Sequence, residues 1–313
     1  MSGTHRILQA GPLPPLLADG LAALAPVDVL GDGRERLLAE QGGEFTILVT
    51  TGTIGADAAL LSALPRLQAI CSLGVGYDAI DVAAAAARGI RVSNTPDVLN
   101  DCVADLAIGL MIDVMRGISA ADRHVRRGDW SAKGPPAPAT RISGKRLGLL
   151  GMGRIGQTIA RRANGFDMEI RYHTRTAKPQ LPWVHEPSLN ELAHWCDILV
   201  VACPGGPQTR HLVSAEVLRA LGPQGYLVNI ARGSVVDQAA LVRCLLSGEV
   251  AGAGLDVYEN EPEVPPALFA LDQVVLLPHI GSSTRETRRA MSELVLENVR
   301  SFVQRGLLVT PVA

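Results

Sequence analysis

The run KRLGLLGMGRIGQTIARR, Lys145 to Arg162, constrains the fold of this chain more than any other stretch. A strand-like segment ends in a turn carrying Gly151, Gly153 and Gly156 at G-x-G-x-x-G spacing, and a helix-compatible segment comes directly after it. Each glycine has a separate task. Gly151 permits the tight turn, Gly153 lets a pyrophosphate approach the backbone, and Gly156 lets helix and strand pack closely. The helix start at Arg154 and Ile155 then offers unpaired N–H groups and a positive dipole end to an anion. A strand, a glycine turn and a helix in that order imply a doubly wound α/β layer around a parallel sheet.

The rest of the chain fits that expectation twice over. Short runs rich in β-branched residues and leucine alternate with alanine-rich stretches before residue 98: RILQA, VDVL, FTILVT, LQAICSLG and IRVSNT. A second series begins at the glycine turn and continues through EIRYH, DILVVAC, GYLVNI, GAGLDV and VVLLPH. Asp101 to Gly128, between the series, reads as one long linking helix, and KGPPAPAT after it as a Pro-rich connector. Ser283 and Glu286 stand at capping-box spacing before a final helix whose Met291, Leu294, Val295, Val299 and Phe302 share a face. The stretch beyond that helix is too short for a domain, so the helix is expected to pack back on the first series. The predicted organisation is two parallel-sheet domains: a discontinuous substrate domain (1–98 and 284–313) and a dinucleotide-binding domain (99–283).

Composition narrows the partners. The formal net charge is −2 and aromatics make up 4% of 313 residues, which gives no reason to expect nucleic acid or an anionic membrane surface. The five cysteines are scattered without a C-x-x-C pair, so neither a metal site nor a disulfide framework is expected. The N-terminal MSGTHRILQAG lacks the order of a signal peptide, and apolar runs are broken well before membrane-spanning length. The expectation is a cytoplasmic protein with reduced thiols.

The strand after the glycine turn, EIRYH, ends at His173, 173 − 156 = 17 residues past Gly156. An NAD site places an Asp or Glu near here to accept from the ribose 2′-OH. This chain has His173-Thr174-Arg175-Thr176 instead. A carboxylate would repel a 2′-phosphate, whereas a guanidinium grips one bidentately. Arg175 is therefore the candidate phosphate clamp, with Thr174 and Thr176 as hydroxyl donors, and NADP(H) is expected over NAD(H).

Three further residues lie just past strand ends, where open α/β sheets bind ligands. They are Arg232 in VNIARGSVVD, Glu261 in GLDVYENEP and His279 in VVLLPHIGSS. An arginine can hold a substrate carboxylate by two hydrogen bonds, and a histidinium can give a proton to a carbonyl oxygen. A neighbouring glutamate favours the charged imidazole and orients its ring. That set suits reduction of a 2-oxo acid to a 2-hydroxy acid.

GRIGQTIARR with VACPGGPQTRHL, LVNIARGSVVDQAAL, GAGLDVYENEP and LLPHIGSST resembles the D-isomer-specific 2-hydroxyacid dehydrogenases. The likeness extends to SLGVGYDAIDVAAAAARGIRVSNTPDVLNDCVADLAIGL, and so spans nearly the whole chain. Within that family the chain is most similar to the NADPH-dependent glyoxylate/hydroxypyruvate reductases, in which a tract like YHTRT occurs. The resemblance implies flavodoxin-like and Rossmann-like domains and a homodimer. It implies that Arg232 anchors the substrate carboxylate, that His279 is the acid/base and that Glu261 is its partner. It places Val75 and Gly76 among the N–H groups that bind the carboxylate, and Leu73 near the substrate's tail. Cys203, Pro204 and Thr209 match the loop on the adenine side. Ile230, Ala231 and Asp256 match positions around the nicotinamide, and His279 and Gly281 are further cofactor-binding candidates. Trp130 resembles a tryptophan that reaches a partner subunit's site. Two other readings stay open: an NAD enzyme like phosphoglycerate dehydrogenase, and a non-catalytic dinucleotide-sensing corepressor.

Overall fold

The computed structural model describes residues 5–312, so Met1–Thr4 of the N-terminal stretch lie outside the described residues. Two separate parallel sheets are present, one in each of two compact units: residues 1–99 with 284–313, and residues 100–283. In the first unit the strands are β1 (Ile7–Ala10), β2 (Val27–Leu30), β3 (Ile47–Thr51), β4 (Ala69–Leu73) and β5 (Arg91–Ser93). Their spatial order, β2-β1-β3-β4-β5, is the flavodoxin-like order. Every pairing is parallel, as in β3 with β4, where Ile47 faces Ala69 and Thr51 faces Leu73. Strands buried on both faces read as largely apolar runs, and β1, β3 and β4 are almost wholly buried, with Gln9, Thr50 and Ser72 as buried polar exceptions.

In the second unit the strands are β6 (Arg146–Leu150), β7 (Glu169–His173), β8 (Val184–His185), β9 (Ile198–Val201), β10 (Tyr226–Asn229), β11 (Gly252–Leu255) and β12 (Val274–Leu276). The order is β12-β11-β10-β9-β6-β7-β8. Chain order reverses between β6 and β9, which is the switch point of a Rossmann sheet and sits beside the glycine turn. β8, two residues long, is too short for its periodicity to show in sequence.

Two sequence expectations need correction. The segment from Asp101 to Gly128 is not one helix. Asn100–Arg116 is helical, Gly117 takes a left-handed φ of +62°, and a second helix, Ile118–Arg126, begins there. Glycine populates that region without the Cβ penalty that would hold other residues in the helix. The first of these helices buries Val103, Ala107, Leu110, Met111 and Val114 and packs on β10 and β11 of its own unit. The N-cap of the final helix, Arg285–Arg305, is Thr284 rather than Ser283: its hydroxyl accepts from the N–H of Thr287 at 3.3 Å. That helix packs on β4 and on the helix Pro15–Ala22 through Met291, Val295, Leu296, Val299 and Phe302, while Leu294 is only half-buried.

Thr284→Ala should destabilise the protein by about 1 kcal/mol, the usual worth of an N-cap hydroxyl. The check is the denaturant midpoint; Ser283→Ala should leave that midpoint where it is, and the reverse ranking would make Ser283 the cap.

Candidate active site

Glu261 and His279 are hydrogen-bonded, Oε2 to Nδ1, at 2.7 Å. The two residues are 18 apart in sequence and arrive from different strands. Glu261 comes after β11 in an acidic turn, and His279 comes after β12. A carboxylate on Nδ1 fixes the proton there and leaves Nε2 as the atom that can hold or release a proton. The second oxygen of Glu261 accepts from the N–H of Tyr258 at 3.1 Å. Burial alone would push this carboxyl up. The hydrogen bond and charge of His279, the Tyr258 N–H and the charge of Arg232 outweigh burial and hold it below the ordinary glutamate value.

His279 has a left-handed backbone, with φ of +54°. For a residue with a Cβ this costs on the order of 1–3 kcal/mol unless the surroundings enforce it. Asp256 does so. Its carbonyl accepts from the His279 N–H at 2.8 Å, and its carboxylate takes the next two amides: Oδ1 from Ile280 at 2.7 Å and Oδ2 from Gly281 at 2.8 Å. Successive amides around a left-handed residue form a concavity suited to an anion, and here the anion is internal. Asp256 is 1% exposed. Burial pushes its carboxyl up, and the two amides and His279 only partly counter this. The sequence places Asp256 beside a nicotinamide; that both of its oxygens hold the histidine loop is not foreseeable from residue order.

Arg232 comes after β10, half-buried, with Nη1 donating to the carbonyl of Ala231 at 2.8 Å. The next residue explains its placement. A Cβ on Gly233 would stand 1.8 Å from the carbonyl carbon of Tyr258, so the loop lies directly on the acidic turn. Only glycine allows that approach, and the approach keeps Arg232 close enough to depress Glu261. The same turn is tied down by Glu259, whose Oε1 accepts from Arg210 at 2.7 Å and pairs with His211 at 2.8 Å. A cavity of about 240 Å³, lined largely by Tyr258, Pro262, Val264, Phe269, Leu276 and Pro278, lies against the Glu261–His279 pair. Such an apolar wall strengthens a charged pair beside it.

The glycine turn has the shape its sequence implies. Gly151 has φ of +102°, and a Cβ there would meet the amide nitrogen of Cys203 at 2.6 Å. A Cβ on Gly156 would meet the Gly151 carbonyl at 2.3 Å. At Gly153, the N-cap of the helix Arg154–Ala163, a Cβ would find open space. Two tight glycines and one open one beside a helix N-terminus fit a pyrophosphate. Arg175 donates from Nη1 to Gln208 Oε1 at 2.5 Å, which orients it over the loop after β9. The Thr174 hydroxyl donates to the Thr176 carbonyl at 2.8 Å, so the donor role expected of Thr174 requires that hydroxyl to turn. Thr209 closes its own loop by donating to the Pro204 carbonyl at 2.8 Å. Ile230 and Ala231 are buried at the end of β10. Trp130 is 62% exposed on the helix Asp129–Lys133. In the first unit Leu73 is buried at the end of β4, and the Val75 carbonyl accepts from the Asn94 amide at 2.8 Å.

Residues 108–281 match the family model for the D-isomer specific 2-hydroxyacid dehydrogenase, NAD binding domain. The chain belongs to the D-isomer specific 2-hydroxyacid dehydrogenase family. Among its relatives in this dehydrogenase family, hydroxyphenylpyruvate reductase of Plectranthus scutellarioides is 49% identical over 275 residues, covering 88% of each chain. Glyoxylate/hydroxypyruvate reductase A of Arabidopsis thaliana is 47% identical over 276 residues, again covering 88% of each. Among solved structures, an NADPH-dependent glyoxylate/hydroxypyruvate reductase of Sinorhizobium meliloti, in complex with NADP and malonate, superposes with a TM-score of 0.94. Its identity is 42%, over 99% of this chain and 97% of that one. Membership of this family makes the chain an oxidoreductase of 2-hydroxy and 2-oxo acids.

Asp256→Asn tests the loop clamp. An amide can accept from one of the two N–H groups but not both, while removal of the buried charge offsets the lost bond. The stability change should therefore stay below about 3 kcal/mol, and kcat should fall well beyond what that loss explains. Wild-type kcat in this variant would show that the clamp does not position His279.

Proposed function

We propose that this protein reduces a small 2-oxo acid, of the glyoxylate and hydroxypyruvate class, to the D-2-hydroxy acid at the expense of NADPH. The observation that carries the reading is the 2.7 Å Glu261–His279 pair, held on a strained loop by Asp256. NADPH, when bound, supplies the hydride. The chain's own residues do the rest. Arg232 grips the substrate carboxylate and so orients the carbonyl. His279 releases a proton from Nε2 to the carbonyl oxygen, and Glu261 keeps the ring turned and balances its charge.

Gly151, Gly153, Gly156, Arg154 and Ile155 would cradle the pyrophosphate. Arg175 would hold the 2′-phosphate, with Thr174 and Thr176 beside it, and Cys203, Pro204 and Thr209 would line the adenine side. Ile230, Ala231, Asp256 and Gly281 would face the nicotinamide. The absence of a carboxylate from His173 to Val184 favours NADPH over NADH. The same reading gives a cytoplasmic homodimer in which Trp130 reaches the partner's site. Among the described residues no helix is long and apolar enough to cross a membrane. The S. meliloti neighbour, solved with NADP and malonate, supports the cofactor and the carboxylate-bearing ligand.

Initial rates with glyoxylate and hydroxypyruvate, using NADPH and NADH in parallel, test this. His279→Ala should lower kcat by on the order of 10²–10⁴-fold. Arg232→Ala should damage KM and kcat together. No turnover with either acid, despite tight NADPH binding, would favour a sensing role.

The pH profile tests the pair. Because Glu261 is held below the ordinary glutamate value, its contribution is present above that value and is lost only as pH falls through the depressed one. The acid limb of kcat/KM should therefore lie below the ordinary carboxylate range and vanish in Glu261→Gln. An acid limb unchanged in that variant would dissociate Glu261 from the reaction.

A further inference from the structure

One buried amide in the second unit has no part in the acid–base pair or the glycine turn. Asn229 is the last residue of β10 and is 1% exposed. Both ends of its side chain are engaged by the loop that follows. Oδ1 accepts from the N–H of Ala231 at 3.1 Å, and Nδ2 donates to the carbonyl of Arg232 at 2.9 Å. The same carbonyl accepts from the N–H of Val235 at 3.2 Å. The chain is therefore held on either side of the Arg232 Cα, where the backbone is extended with φ of −140° and ψ of 144°. Fixing both flanks fixes the direction in which the Arg232 side chain leaves the backbone.

The main chain of Asn229 reaches the other half of the site. Its carbonyl accepts from the N–H of Asp256 at 3.0 Å. Asp256 is the residue whose carboxylate holds the amides after His279. The guanidinium and the imidazole are thus both referred to one strand end. Asn229 touches the loop of the first through its side chain and the clamp of the second through its backbone. Sheet pairing needs only that backbone; the amide serves the loop. An amide donates and accepts at once, which a carboxylate cannot do. An aspartate in this place would keep the Ala231 bond and turn a second acceptor on the Arg232 carbonyl. An alanine would remove both bonds from a buried site.

We propose that Asn229 is a positioning residue for the substrate carboxylate: its side-chain amide aims the Arg232 guanidinium, and its backbone keeps that aim in register with His279. The assignment rests on the oxo-acid reading of the site. Reduction needs the carboxylate gripped in the pose that offers the carbonyl oxygen to Nε2 of His279. A displacement of about 1 Å from that pose can lower the rate on the order of 10²-fold.

The test uses the full-length protein with Asn229→Asp, which keeps the shape of the side chain, and Asn229→Ala. Calorimetry measures NADPH binding, and then binding of oxamate, an unreactive 2-oxo carboxylate, to the NADPH-loaded protein. Both variants should weaken oxamate and lower kcat/KM for glyoxylate by roughly ten- to a hundredfold. NADPH affinity should change by less than about twofold. The deciding measurement is a double-mutant cycle with Arg232→Ala. In that background Asn229→Asp should lower kcat/KM by less than about threefold further, because no guanidinium is left to aim. A full loss repeated in the Arg232→Ala background, equal losses for NADPH and oxamate, or an unchanged oxamate affinity would overturn the role of Asn229 and leave the oxo-acid reading intact. A wild-type protein that neither reduces glyoxylate nor binds oxamate would overturn that reading and this assignment with it.

Discussion

One buried carboxylate organises the candidate active site. Asp256 accepts the amides of Ile280 and Gly281 through its side chain and that of His279 through its main chain. Without those three bonds the left-handed conformation at His279 would have no evident support, and the ring would lose the direction from which it meets Glu261. The arrangement is costly in itself, since burial raises the Asp256 carboxyl above its ordinary value even with two amides in place. Stability is being exchanged for a fixed ring, as is common where backbone strain gathers at a working site.

The other pieces depend on that fixed point through backbone packing more than through side chains. Gly233 lets the Arg232 loop rest on the Tyr258 peptide, and Glu259 fastens the same turn to Arg210 and His211. Two glutamates two residues apart therefore do different work. Glu259 holds the turn in place from one side, while Glu261 faces the histidine on the other. Their difference lies in their partners, since the residue type is the same.

The nucleotide half of the site shows a similar economy. Gly151 and Gly156 are crowded against backbone, and Gly153 stands open. Beside them, the His173–Lys178 loop is attached at both ends to the turn it serves.

Much of this was written in the sequence. The glycine spacing, the missing acid after EIRYH, and the placement of Arg232, Glu261 and His279 after strand ends all depend on local order, which a linear chain carries. So did the two parallel sheets, because strands buried on both faces read as continuous apolar runs. Helix limits were less legible. Gly117 could have been one more tolerated glycine, and Ser283 and Thr284 are equally able caps, so which one serves is decided by where the chain turns. The meeting of Glu261 with His279, the hold of Asp256 on the loop, the seat of Gly233 on Tyr258 and the reach of Lys178 to Met152 were decided by tertiary structure alone. Each joins residues 18 to 26 positions apart on separate strands or loops. Residue order states which side chains exist; only the parallel stacking of strands brings those ends to one edge of a sheet.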